Sequence, residues 1–156
     1  MQNFTANDIL TLDKTVYSEY FSNSEFGLAL GKEIASKHGY NDPLMRIPEG
    51  SSLVFKIGSE YFLKITPPFF SGSIEAEISA SKIIGNQLSF AIPHILIDDQ
   101  IDNWKYVITK KVDGEQAKNI FRSLDSENMQ TFAKDIGRLI KNIHSINSDG
   151  FERDFG

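Results

Sequence analysis

The stretch RIPEGSSLVFKIGSEYFLKIT, residues 46–66, decides the fold of this chain. Two short apolar runs, LVFKI and YFLKI, flank a Gly-Ser-Glu turn at 58–60, and this pattern is typical of a β-hairpin. Each run also contains a lysine, Lys56 in the first and Lys64 in the second. An unpaired ammonium in a buried strand costs more than the strand gains by burial, so each lysine needs an anion or a route to water.

Length and composition narrow the class of protein. With 156 residues and 40% hydrophobic content, the chain is expected to form one folded domain with a real core. A net charge of -5 argues against a broad nucleic-acid or anionic-membrane surface. The absence of cysteine excludes disulfides, thiolate metal sites and cysteine nucleophiles. The N-terminus does not resemble a signal peptide and no apolar run approaches the length of a membrane span, so we expect a cytoplasmic protein.

Amphipathic helices are predicted on both sides of the hairpin. Large apolar side chains recur at loosely helical spacing over 15–40, and a turn follows at 41–43. After the hairpin, a Gly-Ser loop at 71–73 leads into a second helical pattern. Ser73 is the expected N-cap of this helix, and two acids fall in its first turn, where the helix dipole favours them.

The second half of the chain predicts two more strands and a long helix. An extended segment runs over 92–97, the stretch DDQIDN at 98–103 is predicted to be a turn with solvated acids, and a strand follows at 104–112. The last helix is expected from about Ser126 to Ile146. Runs of strands with one inserted helix favour an antiparallel sheet covered on one face, which is an α+β fold.

Alternation along the two hairpin strands puts a ring and a lysine on one face. Phe62 and Lys64 share this face with Val54 and Lys56. Beside the Gly-Ser-Ser turn at 50–52, such a face suits a planar base with a phosphate tail, because turn N–H groups and a lysine can contact phosphates while apolar side chains cover the ring. The alternative interpretation is that both lysines are ordinary solvent-side charges.

The order of these pieces resembles the N-terminal lobe of the aminoglycoside phosphotransferase and choline kinase-like family, which has the protein-kinase-like fold. The resemblance covers roughly 46–146 and rests on the succession EGSSLVFKI, YFLKI, a helical Glu77, IPHIL, KYVITKKVDGE and a helix ending LIKNIHSI. It implies an antiparallel sheet of about five strands with a packed helix. The implied units are a helical extension at 1–45, a nucleotide-binding lobe at 46–115, and a linking helix within 116–156.

The resemblance also implies roles for single residues. Lys64 matches the family's lysine that contacts the α- and β-phosphates of ATP or GTP, and Glu77 matches the helical acid that pairs with this lysine. Glu75 is the alternative acid, two residues away on a different side of the helix, and both acids could instead serve only the helix dipole. The phosphate-covering turn corresponds to Gly50, Ser51 and Ser52.

Adenine contacts are implied by the same resemblance. Phe62 falls where some family members place an aromatic ring over adenine. The strand at 106–112 corresponds to the hinge, where the carbonyl of Lys110 and the amide of Val112 would contact the adenine edge, with Thr109 at the back of the pocket. The plain interpretation of this strand as sheet core is compatible with that role.

The family's catalytic residues have no match in this sequence. Their loop of the type His-Gly-Asp, their general base and their Mg²⁺ ligands belong to a C-terminal lobe, and no His-Gly-Asp occurs here. The letters DFG at 154–156 follow no catalytic loop, so we interpret them as coincidence. The histidines His38, His94 and His144 are scattered and predict no metal site. We therefore expect an excised N-terminal lobe, rather than a natural short product, that is inactive alone.

Two functional hypotheses follow. The first is the nucleotide-binding lobe of a small-molecule kinase that moves the γ-phosphate of ATP or GTP to a hydroxyl of an aminoglycoside, choline, a small sugar or a homoserine-like acceptor. The second is a non-catalytic α+β module that binds a protein partner or another ligand through its N-terminal helices. In either case, apolar area around the hinge strand and the final helix predicts a dimer or partner contact there.

Overall fold

The computed structural model builds one antiparallel sheet around the predicted hairpin. Its strands are β1 Leu44–Ile47, β2 Leu53–Ile57, β3 Tyr61–Thr66, β4 Ile95–Ile101 and β5 Trp104–Lys110. They lie side by side in the order β1-β2-β3-β5-β4, and β2 and β3 form the hairpin. The expected α+β fold with about five antiparallel strands is therefore confirmed.

Helices flank the sheet along the chain. In the part of the chain that the structure describes, they are α1 Ser24–Lys37, α2 Ser71–Ile84, α3 Ala117–Ile120 and α4 Ser126–His144. The described residues are 21, 24–48, 50–85, 87–88 and 90–147. The helix predicted over 15–40 is thus observed as α1, while its first residues and the DFG letters lie outside the described residues. None of the helices in these ranges is long and apolar enough to cross a membrane.

Helix α1 covers one face of the sheet. Its side chains Leu30, Ile34 and Ala35 are buried against the strands. Successive side chains of a strand point to opposite faces, so buried and half-buried residues alternate along β2. The sheet residues buried on this side are Leu53, Phe55, Ile57, Leu63, Ile65, Trp104, Tyr106 and Ile108.

The close approach of α1 to the sheet depends on Gly31. A Cβ at this position would lie 3.1 Å from Leu44 Cδ2 and 3.2 Å from Phe55 Cε2. Both neighbours are core side chains with little room to retreat, because protein interiors are close-packed. Gly137 in α4 is a useful contrast, since a Cβ there would meet nothing within 4 Å in the described structure.

We expect Gly31→Val to lower the free energy of unfolding by about 1–3 kcal/mol, because the added carbons overpack the interface between α1 and the sheet. The same substitution at Gly137 should change the free energy of unfolding by no more than about 0.5 kcal/mol, since valine fits a helix somewhat better than glycine. Urea denaturation of both variants measures the difference. Equal stability of the two variants would contradict the packing of α1 described above.

The prediction that 98–103 forms a turn is wrong. Strand β4 includes the first four residues of this stretch, and only Asp102 and Asn103 turn, both with positive φ. The acids Asp98 and Asp99 were the reason for predicting a turn. They lie on opposite faces of the edge strand, and each carboxylate pairs with a lysine. Asp98 Oδ2 lies 3.0 Å from Lys82 Nζ of α2.

Asp99 joins the edge strand to the end of α1. Its carboxylate accepts hydrogen bonds from Lys37 Nζ at 2.8 Å and from the Tyr106 hydroxyl at 3.0 Å. The Gln100 amide donates to the second carboxylate oxygen, and His38 Nε2 lies 2.8 Å from the Tyr106 hydroxyl. The Lys37 ammonium, the Gln100 amide and the Tyr106 hydroxyl together lower the pKa of Asp99 from 3.8 to about 2.

This lowered pKa predicts a pH-dependent contribution to stability. A carboxyl group with a depressed pKa in the folded state stabilises the fold above its unfolded pKa and loses this contribution as pH falls through the folded pKa. We therefore expect the melting temperature of wild type to exceed that of Asp99→Asn at neutral pH, with the difference shrinking between about pH 4 and pH 2. Lys37→Met should show the same pattern, and a pH-independent difference for both variants would contradict the assignment.

Several predicted boundaries are also corrected. Helix α2 begins at Ser71, so Ser73 is its third residue and not its N-cap, which is Phe70. The loop predicted at 71–73 is therefore helical. Strand β1 was not predicted, because its four residues lie between two prolines and acquire strand structure only by pairing with β2. The last helix ends at His144 rather than Ile146, and β5 ends at Lys110 rather than at 112.

Candidate functional site

The face of the sheet turned away from α1 carries the predicted ring and lysines. Cross-strand neighbours bring these side chains together from β2, β3 and β5, and α2 lies over part of the same face. Side chains on this face are mostly half-buried, whereas most of those on the α1 side are fully buried. The face has three rows, namely Lys56–Phe62–Thr109, Val54–Lys64–Val107 and Thr66–Lys105.

Lys64 lies in the middle row and forms a hydrogen-bonded ion pair with Glu77 of α2. The side chains of Lys64 and Glu77 are 30% and 43% exposed, so the pair is in contact with water. An exposed pair of this kind adds little to stability, but it holds the ammonium in one place on the face. The question raised by a lysine inside an apolar strand is answered for Lys64, which has both an anion and access to solvent.

Glu75, the alternative acid, forms an ion pair with Lys105 of β5 instead. The two acids are not in the first turn of α2, because the helix begins at Ser71. They therefore do not lie where the positive end of the helix dipole acts. Residues two apart on a helix point to different sides, which explains why Glu77 meets Lys64 on one strand and Glu75 meets Lys105 on the next.

The Gly-Ser-Ser turn lies at the start of β2. Gly50 has φ +92°, which a residue with a side chain rarely adopts, and a Cβ there would meet no atom within 4 Å. Ser51 is exposed, but Ser52 is only 5% exposed and its hydroxyl lies 3.1 Å from the Thr66 hydroxyl. The Ser52 side chain is therefore turned into the protein and is already paired with Thr66.

The strand predicted to be the hinge, 106–112, comprises β5 from Tyr106 to Lys110 and the two residues that follow it. Lys110 donates its amide to the His94 carbonyl at 3.0 Å, and Lys111 donates to the Glu60 carbonyl at 2.7 Å. Val112 comes directly after these last sheet hydrogen bonds and is half-buried. Lys110 and Val112 thus follow Thr109 along the chain, and Thr109 pairs with Phe62 across the sheet.

A cavity of about 240 Å³ lies behind Thr109. Its walls are largely apolar and come from α2, from the segment before β4, and from Ile143 near the end of α4. Glu77 also lines it, so the ion pair described above stands at its edge. Sequence reasoning placed Thr109 at the back of a pocket but missed this apolar wall, because its residues are far apart in the chain.

A larger hollow of about 500 Å³ lies beside the C-terminal half of α2 and the edge strand β4. Lys82, His94 and Asp98 line it together with apolar residues. None of the predicted site residues lines this hollow. Its larger volume alone is no reason to assign the ligand site to it.

A metal site is not formed by the described residues. No group of three or more His, Asp or Glu side chains lies close enough to hold an ion in the described ranges. Glu77, the acid nearest the candidate site, is already paired with Lys64. The described residues thus offer no preformed set of three ligands, and we derive no step that depends on Mg²⁺.

Comparison with known proteins gives the fold of this chain. No protein-family model and no curated protein sequence matches it. Solved structures do match, with TM-scores of 0.62, 0.62 and 0.61 for a streptomycin-ATP-APH(2'')-IIa ternary complex, a gentamicin-APH(2'')-IIa complex and ADP-bound aminoglycoside phosphotransferase APH(2'')-Ib. Sequence identities are 23%, 22% and 22%, and the matches cover 81%, 89% and 80% of this chain.

The same matches cover only 41%, 42% and 40% of the neighbours' own chains. At such low identity the likeness shows the fold alone. The expected resemblance to aminoglycoside phosphotransferases is confirmed at the level of structure, and the chain spans about two fifths of each neighbour.

Proposed function

We propose that this chain is the nucleotide-binding lobe of a small-molecule kinase and holds ATP or GTP on the sheet face of Lys64. The single observation that carries the proposal is the ion pair between Lys64 and Glu77 in the middle of that face. Phosphoryl transfer depends mainly on positioning and on charge aimed at the phosphates. An ammonium fixed by a helical carboxylate, with partial access to solvent, is suited to that task.

The remaining side chains of the face fit the rest of a nucleotide. Phe62 and Val54 offer apolar surface for a planar base, and the backbone at Lys110 and Val112 offers polar groups for its edge. The glycine-containing turn at 50–52 offers backbone N–H groups to phosphates. Residues 46–115 would then form the binding lobe, and 116–156 would lead away from it.

The structural neighbours support the chemistry of the ligand. One was solved with streptomycin and ATP, one with gentamicin and one with ADP. We extend the nucleotide to this chain, together with transfer of its γ-phosphate to a hydroxyl acceptor that could be an aminoglycoside. Because the sequence contains no match to the family's His-Gly-Asp loop, we expect the isolated chain to bind nucleotide without transferring phosphate.

Calorimetric titration with ATP and with GTP tests the proposal. We expect weak binding to wild type, and a loss of about 1 kcal/mol of binding free energy in Phe62→Ala, because stacking on the base is removed. Lys32→Ala is the control, since Lys32 is exposed on α1 at the opposite face. Unchanged affinity of Phe62→Ala for both nucleotides would exclude this ring from the site, and no binding to wild type would contradict the proposed function.

A second candidate function, binding of a protein partner, is favoured by α4. One side of this helix exposes Ile136, Leu139, Ile140 and Ile143, each between 36% and 48%. Helix α1 uses its apolar side in the core, so among the described helices α4 is the one that offers an exposed apolar surface. Sedimentation of the isolated chain at several concentrations distinguishes self-association through α4 from a monomer that only binds nucleotide.

A further inference from the structure

Helix α2 is connected to three adjacent strands by three ion pairs. Glu77 meets Lys64 of β3, Glu75 meets Lys105 of β5, and Lys82 meets Asp98 of β4. These strands are neighbours in the sheet order. The charges on α2 thus contact a continuous part of the sheet.

Fewer side chains of α2 are fully buried against the sheet than form ion pairs with it. Ile74 is its only fully buried residue among those described, and the helix has no side-chain cap at its N-terminus. Glu75 and Lys82 are seven residues apart, so they lie on one side of the helix, toward β5 and β4. Glu77 lies on the other side of Ile74, toward β3. We expect charge contacts on both sides of Ile74 to fix the orientation of the helix, together with half-buried side chains such as Ile78 and Ile84.

We infer that the ion pair between Glu75 and Lys105 is a positioning device that holds α2 in the orientation in which Glu77 meets Lys64. Neither Glu75 nor Lys105 belongs to the proposed nucleotide contacts. Their effect on ligand binding rests on the proposed function, but their effect on α2 does not. The pair between Lys82 and Asp98 supports the same side of the helix and is more exposed, with side chains 69% and 41% accessible.

The solvent exposure of the Glu75–Lys105 pair limits how much its loss can change the protein. The side chains of Lys105 and Glu75 are 31% and 53% exposed, so solvent screens their attraction and its loss will not unfold the domain. Helix α2 has one fully buried residue among those described, so the free energy of its local opening depends on few contacts. Loss of the ion pair should therefore make this local opening more frequent. The consequence should be a looser α2 in an intact sheet.

Hydrogen exchange in the free chain and ATP titration test this inference together. In Glu75→Gln, we expect the amides of 71–84 to exchange about twofold to fivefold faster while β2 and β3 keep their protection, and the Kd for ATP to rise by a similar factor. The charge-swapped variant, Glu75→Lys with Lys105→Glu, should restore both quantities toward wild type. An effect of either side chain that does not depend on their mutual attraction would not be rescued by this swap.

Asp135→Asn is the matched control, because the ion pair of Asp135 with Arg138 lies within α4 and does not involve α2. It should leave the exchange of 71–84 unchanged. Unchanged exchange in Glu75→Gln, or no recovery in the charge-swapped variant, would overturn the inference. Absence of ATP binding in wild type would refute the proposed function alone, since the exchange measurement still decides whether Glu75 and Lys105 hold α2.

Discussion

Phe55→Ala is expected to lower the free energy of unfolding by about 3–5 kcal/mol, the usual cost of deleting a buried aromatic ring. Phe55 is fully buried in β2, and its ring lies where α1 approaches the sheet closest, next to Gly31. The truncation would remove apolar contacts on both layers at once. Since a domain of ordinary size is stable by only about 5–15 kcal/mol, this single change should bring the chain close to unfolding at room temperature.

Urea denaturation followed by tryptophan fluorescence measures this loss. Trp104 is the only tryptophan of the chain and is fully buried in the same core, so its emission reports unfolding. Met45→Ala is the control, because Met45 is 59% exposed on β1 and its truncation should change stability by no more than about 0.5 kcal/mol. A similar small change in Phe55→Ala would mean that α1 does not pack as described.

Lys64→Ala is expected to weaken ATP binding by about 10- to 100-fold, the equivalent of one or two charge-assisted hydrogen bonds. Removal of the ammonium also leaves the Glu77 carboxylate unpaired near the proposed phosphate position, where it would repel an anion. The fold should survive, because the pair is partly exposed and adds little stability. Binding and stability are therefore expected to separate in this variant.

Two further variants test whether the loss of ATP affinity is specific to the ammonium group of Lys64. Lys64→Arg keeps the charge but not the compact ammonium, so it should recover only part of the affinity. Lys32→Ala, on the opposite face, should bind ATP as wild type does. An unchanged Kd in Lys64→Ala, with wild type binding ATP, would place the nucleotide elsewhere.

Much of the sheet could be predicted from local sequence. The hairpin follows from strict alternation around a glycine turn, and the pairing of a lysine in β3 with a helical acid is the contact expected for Lys64 and Glu77. The sequence alone left Glu75 and Glu77 as alternatives. The structure assigns each a partner, because Lys64 and Lys105 lie on neighbouring strands and face the same helix.

Other features depend on contacts that local patterns do not reveal. Asp98 and Asp99 look like turn residues, but lysines from two different helices, Lys82 and Lys37, balance their charges on the two faces of β4. Ser73 has the chemistry of an N-cap, yet the helix starts two residues earlier. Alternation in β5 could have indicated that Lys105 shares a face with Val107, and hence with the site. By contrast, no local sequence pattern predicts that Ile143 lines the same cavity as Thr109.

The central claim, that a nucleotide lies on the sheet face of Lys64, is tested most directly by titrating ATP into the ¹⁵N-labelled chain and following backbone amide signals by NMR. We expect shifts that saturate and that concentrate at 50–54, 62–66 and 107–112, with little change along α1 at 24–37. Saturating shifts confined to α1, or no shifts at millimolar ATP, would contradict it.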